Sequence, residues 1–260
     1  MNPVSTIFSR LERLVFRQNT KNRPEFDVRE SDIFIVSYPK SGNTWVRFII
    51  ANLLRQDSVI NFRNIEKIVP DIHKSLKDIP SMKDVRIMKY HQPFFEYFPR
   101  TIYIVRDGRD ALVSYYHYNL DSGQFDGTFG EFLESPIHLR FGSWQEHVSK
   151  AMEMRLRFPD RILFLRYEDM LANLPANIRK IAKFCDLPVT DELVEKTAEQ
   201  CSFKSLQENE KTYGSEILEK KIHFFRKGTK DQWKEYFNEE TATRFVEDSR
   251  ELLMANGYKL

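Results

Sequence analysis

Residues 38–45, Tyr-Pro-Lys-Ser-Gly-Asn-Thr-Trp, place a lysine, a glycine and three small polar side chains between an apolar run and a helical pattern. The chemistry this suggests is anion binding. A loop that feeds a helix N-terminus offers unpaired backbone N–H groups and the positive end of the helix dipole. Gly42 allows close approach, Ser41, Asn43 and Thr44 supply donors, and Lys40 adds a point charge. The order differs from a nucleoside triphosphate loop, G-x-x-x-x-G-K-[ST]. Ser37 stands five residues before Gly42, and Asn43 stands where that loop needs its lysine. By itself, Lys40 reads equally well as an exposed loop lysine.

Positioning such a loop requires a sheet. Asp32–Ser37, Val85–Lys89, Thr101–Val105 and Arg161–Leu165 read as short buried strands. Between and after them, helical spacing marks Thr44–Leu54, Asp107 to about His117, Ser143–Phe158, Leu174–Phe184, Asp191 to about Cys201 and Glu239–Met254. Alternating strands and helices predict a single α/β domain with a central parallel sheet flanked by helices. Its first strand–loop–helix would be a P-loop-like phosphate-binding unit. Ligands in such sheets bind beyond the carboxyl ends of the strands, where 38–45, 90–93 and 106–114 fall. Of the six histidines, His91 follows the second strand directly. Lys89, two residues earlier, shares its side of the strand. His73, His138 and His147 lack such a setting and read as surface or packing residues, and His117 reads as packing.

The 260 residues are 41% hydrophobic and 30% charged, with a net charge of +2. That suits a globular chain with a sizeable core and argues against a general nucleic-acid binder. Cys185 and Cys201 show no metal spacing, and two cysteines fit a reducing, cytoplasmic setting. No run approaches the roughly 18 apolar residues of a transmembrane segment, and no secretory signal is visible. Ile7, Leu11, Leu14 and Val15 fall at helical spacing, with Arg10, Arg13 and Arg17 on another face. This reads as a short packed helix or frayed end before it reads as peripheral membrane contact by residues 1–20.

Five stretches resemble, in order, the PAPS-dependent sulfotransferase family of cytosolic type; PAPS is 3′-phosphoadenosine 5′-phosphosulfate. "YPKSGNTW" (38–45) is similar to its YPKSGTTW, and "KYHQP" (89–93) to K-T-H-x-P. "IYIVRDGRDALVSYYHY" (102–118) resembles Y-V-x-R-N-P-K-D-x-x-V-S-Y-Y-H-F. "LFLRYEDM" (163–170) matches L-x-x-x-Y-E-D-M, and "FFRKGTKDQWKEYF" (224–237) resembles F-x-R-K-G-x-x-G-D-W-K. The resemblance implies a sulfotransferase domain over 29–260, preceded by an N-terminal helical extension over 1–28.

What it implies about chemistry follows residue by residue. His91 would be the general base toward a hydroxyl or amino group of a small-molecule acceptor. Lys40 would neutralise the leaving phosphate and Lys89 would steady the sulfonyl oxygens. Lys40, Ser41, Gly42, Asn43 and Thr44 would hold the 5′-phosphate. Arg106, Ser114, Arg226, Lys227 and Gly228 would hold the 3′-phosphate. Trp45 and Phe203 would flank the adenine, and Tyr167 would touch its ring. The co-substrate would be PAPS, the product 3′,5′-bisphosphoadenosine (PAP), with no metal and no nucleic-acid partner.

This chain departs from the pattern at Cys201, where the family has threonine, and at Asp231 and Gln232, where it has glycine and aspartate. The Asp231 carboxylate is expected close to a bound phosphate. The family's dimer motif, K-x-x-x-T-V-x-x-x-E, would start at Lys234, but Asn238, Glu239 and Thr243 fill its other positions, so the oligomeric state stays open. Aromatic residues at Phe94, Phe95, Tyr97, Phe98 and 115–118 are expected to line the acceptor pocket or to be core. Phenols, alcohols, amines, small metabolites and sugars all fit as acceptors. Two other readings stay open: a P-loop-type small-molecule kinase, and a non-catalytic adenosine-bisphosphate-binding protein.

Overall fold

The computed structural model describes residues 26–83, 85–93, 95–216 and 223–260; the expectations placed on residues 1–25 and on Phe94 lie outside them. Four parallel strands form the sheet: β1 (Ile33–Ser37), β2 (Ile87–Tyr90), β3 (Arg100–Val105) and β4 (Ile162–Arg166), in the order β2-β1-β3-β4. Side chains of β1 alternate between two cores. Ile33 and Ile35 pack with helices α1 (Asn43–Leu54), α7 (Leu174–Phe184) and α8 (Asp191–Gln200). Phe34 and Val36 pack with α3 (Gly108–Asp121), α5 (Trp144–Arg157) and α10 (Glu239–Ala255). Each such buried aliphatic or aromatic side chain is worth roughly 1.5–3 kcal/mol, so the strand ends that carry the loops are fixed from both faces.

The remaining helices are α2 (Ile72–Ser75), α4 (Phe129–Glu134), α6 (Tyr167–Ala172) and α9 (Phe203–Tyr213). None of these four was expected from hydrophobic spacing. The second strand starts two residues later than expected, because Val85 is exposed and Arg86 turns inward to Asp32, with Nε to Oδ1 at 2.8 Å. Chain order places β2 and β3 on opposite sides of β1. The crevice beyond the carboxyl end of β1 is therefore the switch point of the sheet, where ligands of open α/β folds bind. Among the described residues, no helix is long and apolar enough to cross a membrane.

Candidate active site

A cavity of about 250 Å³ opens at that switch point. Lys40, Gly42, Asn43, Thr44 and Trp45 line it from the first loop, Lys89 and His91 from the end of β2, and Arg106 and Ser114 from the end of β3 and from α3. Tyr167 and Phe203 add aromatic walls, and Arg226, Lys227 and Gly228 reach it from the distant loop. Ser41 is the expected site residue not on the wall. It is fully buried, and its Oγ has no hydrogen-bond partner among the described residues.

Among the described helices of ten or more residues, one N-terminus is built differently from the rest. Helices α3, α5, α7, α8, α9 and α10 each carry a side-chain N-cap, from Asp107, Ser143, Asn173, Thr190, Ser202 and Asn238. Helix α1 carries none; Gly42 precedes it at φ 107°. Its first amide groups are thus left for a ligand rather than for the chain. Gly42 is needed twice over. Its backbone is left-handed, and a Cβ there would sit 2.9 Å from Cδ2 of Tyr167.

Arg106 ties this loop to the far one. Its Nη1 donates to the Lys40 carbonyl at 3.0 Å, its Nη2 to the Thr229 carbonyl at 3.2 Å, and its guanidinium lies 4.4 Å above the Tyr167 ring. Its Nε is buried without a partner among the described residues. Buried donors of this kind are rarely left unpaired, so Arg106 Nε and Ser41 Oγ fit a bound anion. The Lys40 ammonium rests 3.5 Å from the centroid of Phe224 and 4.7 Å from that of Tyr118. Burial lowers its pKa to about 7; Glu216 opposes the shift, while Lys89 and Arg106 add to it.

The far loop is held by residues that sequence reading missed. Glu210 accepts from the amides of Phe224 and Phe225 at 2.7 and 3.0 Å, and Gln207 donates to the carbonyls of Phe225 and Arg226. Asp110, in the first turn of α3, accepts from the amides of Asp231 and Trp233 at 2.8 and 3.0 Å. Gly228 is at φ 63°, and a Cβ on it would fall 2.3 Å from the Phe203 ring. No local signal marks Glu210 or Gln207, and Asp110 shows only as the aspartate of the 102–118 stretch without its role, because each acts on backbone distant in sequence.

His91 is fixed at both ends. Its Nδ1 lies 2.9 Å from the Ser37 carbonyl, which can only accept, so Nδ1 carries the proton and Nε2 is left as a base. Its own carbonyl lies 2.8 Å from His147 Nε2, and His147 Nδ1 lies 2.9 Å from the Tyr103 hydroxyl. Burial, and then the neighbouring Lys89 ammonium, hold the His91 pKa down to about 3, which keeps the ring neutral.

Several expectations change. Lys89 is neither solvated nor free. Its Nζ is 2.9 Å from Asp71 Oδ2 and 3.0 Å from Glu216 Oε1, and all three side chains are buried. Burial works against the Lys89 charge, but the two carboxylates outweigh it and raise its pKa. Asn43 spends its side-chain amide on the Ile35 and Tyr90 carbonyls, at 3.1 and 3.2 Å, so only its backbone is left for an anion. The Asp231 carboxylate pairs with Lys234 at 3.2 Å and is not on the cavity wall; Gln232 is. Phe95 and Phe98 belong to the core beneath β1 and β3 and Tyr97 packs against it, whereas Tyr115 and Tyr118 do line the cavity. His73 lies on the cavity wall, and His147 supports His91 instead of merely filling space.

Asp71 is placed through buried Arg47, whose Nη2 meets Glu66 Oε1 at 2.8 Å, while Glu66 Oε2 accepts the Asp71 amide at 2.9 Å. Among the described residues, no group of three or more His, Cys, Asp or Glu is placed to hold a metal ion.

Comparison with known proteins agrees with this geometry. The sulfotransferase domain family matches residues 30–257. Sulfotransferase 1B1 of the dog, Canis lupus familiaris, is 32% identical over 248 residues, spanning 85% of this chain and 83% of its own. Sulfotransferase 1 family member D1 of the mouse, Mus musculus, is 33% identical over 86% of this chain and 83% of its own. A mouse sulfotransferase solved in complex with PAP superposes with a TM-score of 0.69 at 27% identity, covering 88% of this chain and 86% of that one. Retinol dehydratase, solved with androsterone and PAP, shares the fold with a TM-score of 0.70 at 22% identity, over 92% of this chain and 84% of that one. With an uncapped helix facing a neutral, oriented histidine across one cavity, and these relatives along nearly the whole chain, the protein belongs to the sulfotransferase family and is a sulfotransferase.

Proposed function

We propose that the protein moves the sulfonate group of PAPS to a hydroxyl group of a small-molecule acceptor. The observation that carries this is the pairing, in one cavity, of an anion cradle with a histidine whose Nε2 is free to take a proton. The first amides of α1 and the hydroxyls of Ser41 and Thr44 would hold the 5′-phosphate. Arg106 Nε, Ser114, Arg226 and the Lys227–Gly228 turn would hold the 3′-phosphate. Adenine would lie between Trp45 and Phe203, beside Tyr167. The mouse sulfotransferase solved with PAP supports this donor.

The reaction follows from these positions. Nε2 of His91 takes the acceptor proton as the acceptor oxygen bonds to sulfur. The bond from sulfur to the bridging phosphate oxygen breaks, and its electron pair stays on that oxygen as PAP leaves. Lys40 meets the charge growing there, and its low pKa rises when an anion is bound. Lys89 reaches the sulfonyl oxygens while still anchored to Asp71. Positioning and charge stabilisation do most of the work, as in phosphoryl transfer.

The test is transfer of labelled sulfonate from PAPS to a panel of phenols and alcohols. Labelled product that His91→Ala does not form supports the reading. No transfer by the intact protein, together with phosphorylation of the same acceptors from ATP and Mg²⁺, overturns it in favour of a kinase.

A further inference from the structure

The His91 end of the cavity is charged, with both signs present. Its walls include Asp71, His73, Lys74, Arg140, Phe141 and Glu216. Glu216 Oε1 is shared between Lys89 at 3.0 Å and Lys74 at 3.1 Å, and the Lys74 side chain is 42% exposed. Arg140 is exposed and makes no side-chain hydrogen bond or ion pair among the described residues; its guanidinium lies 5.5 Å above the Phe141 ring. That ring in turn lies 5.2 Å from His91 and 5.5 Å from His73. The base therefore looks onto one flat apolar face, flanked by a carboxylate, an ammonium and a guanidinium.

Each class of acceptor meets this wall differently. An apolar acceptor would strip water from the exposed Lys74 and Arg140 and replace none of it. An acceptor with one formal charge would match some of these groups and oppose the rest. A hydroxyl both accepts from Lys74 or Arg140 and donates to Glu216. A ring carrying several hydroxyls on its edge and C–H bonds on its face would also lie flat against Phe141.

On this ground, and resting on the sulfotransferase reading above, we infer that the acceptor is a polyhydroxylated ring of the saccharide or cyclitol class. Glu216, Lys74 and Arg140 would read its hydroxyls and Phe141 its face.

Calorimetry on the PAP-saturated protein tests this, with phenyl β-glucopyranoside against 4-phenoxycyclohexanol, a compound of similar size with a single hydroxyl. Tyramine and 4-hydroxyphenylacetate are the cationic and anionic controls. The glucoside is expected to bind about tenfold or more tighter than the other three, the worth of one charge-assisted hydrogen bond. Arg140→Leu is expected to remove much of that preference while leaving PAP affinity in place. Equal or tighter binding of any of the other three would overturn the inference, as would an Arg140→Leu loss equal for all four ligands. The same titrations without PAP separate the two readings. A glucoside preference in a protein that does not bind PAP contradicts the donor assignment alone. PAP binding with no glucoside preference contradicts the acceptor class alone.

Discussion

The two ends of the cavity are held in place in opposite ways. The donor end is made largely of backbone: an uncapped helix, two glycines whose Cβ positions are taken by rings, and an arginine clamping one loop to another. The acceptor end is made of side chains already paired with each other, Asp71 with Lys89 and Glu216 with Lys89 and Lys74. The first leaves polar groups unpartnered and ready for an anion. The second has mutually satisfied charges that a ligand must join or displace. Affinity for the donor should therefore be robust to most side-chain changes, and selectivity for the acceptor sensitive to them.

The largest break in that comparison comes at His91, where the ends meet. His91→Ala is expected to lower kcat by about 10²–10⁴-fold, the usual share of a general base, while PAP affinity by calorimetry changes little. A mutant with wild-type turnover would remove the base assignment. Lys40→Ala is expected to cost about 10²–10³-fold in kcat, comparable with losing one stabilising donor at a developing charge. Single-turnover rates with saturating PAPS would show it, and an unchanged rate would place the leaving-group charge elsewhere.

Arg226→Ala sharpens the donor side. PAP affinity should fall about 10–100-fold, as for a lost charged hydrogen bond, and AMP affinity should hardly move. Equal losses would mean that Arg226 does not read the 3′-phosphate. A subtler effect follows from Lys40. With its pKa lowered to about 7 in the free protein, the side chain is partly neutral above neutrality, and an anion beside it restores the charge. PAP binding between about pH 7 and 9 should therefore take up protons, seen as calorimetric heats that vary with buffer ionisation enthalpy. Heats independent of buffer would show that Lys40 is already charged or untouched by PAP.

The smallest effect is expected at Asp231. It sits at φ 63°, where a side chain is strained. Asp231→Gly should raise stability by no more than about 1 kcal/mol, the relief being offset by the freer unfolded chain. PAP affinity should stay within about threefold, since the carboxylate faces Lys234. A tenfold gain would return that carboxylate to the side of the phosphate, where its charge opposes the ligand's.

The same contrast explains what could be read from the residues alone. Backbone cradles are built from consecutive positions, so Lys40 to Trp45 stand together in the chain, and the short continuous apolar run of β1 announces the sheet that presents them. Asp71, Arg140 and Glu216 converge only through the fold, each on a segment without a periodic pattern. Asn43 misleads for a related reason. Its type suits a phosphate, but its amide bridges the ends of β1 and β2, which only the paired strands reveal. Helix α4 is short, and its Thr128–Glu131 capping box is a legible signal that hydrophobic spacing passes over. The polar helix α9 rests on its Ser202 cap and on buried Leu206, too few apolar positions to show a period.

The donor cradle is the central claim, and titration of the protein with PAP, with AMP and ATP as controls, tests it most directly. Tight binding of PAP without Mg²⁺, with AMP at least about tenfold weaker, is the result the geometry predicts. Preference for ATP with Mg²⁺, or equal affinity for PAP and AMP, would contradict it.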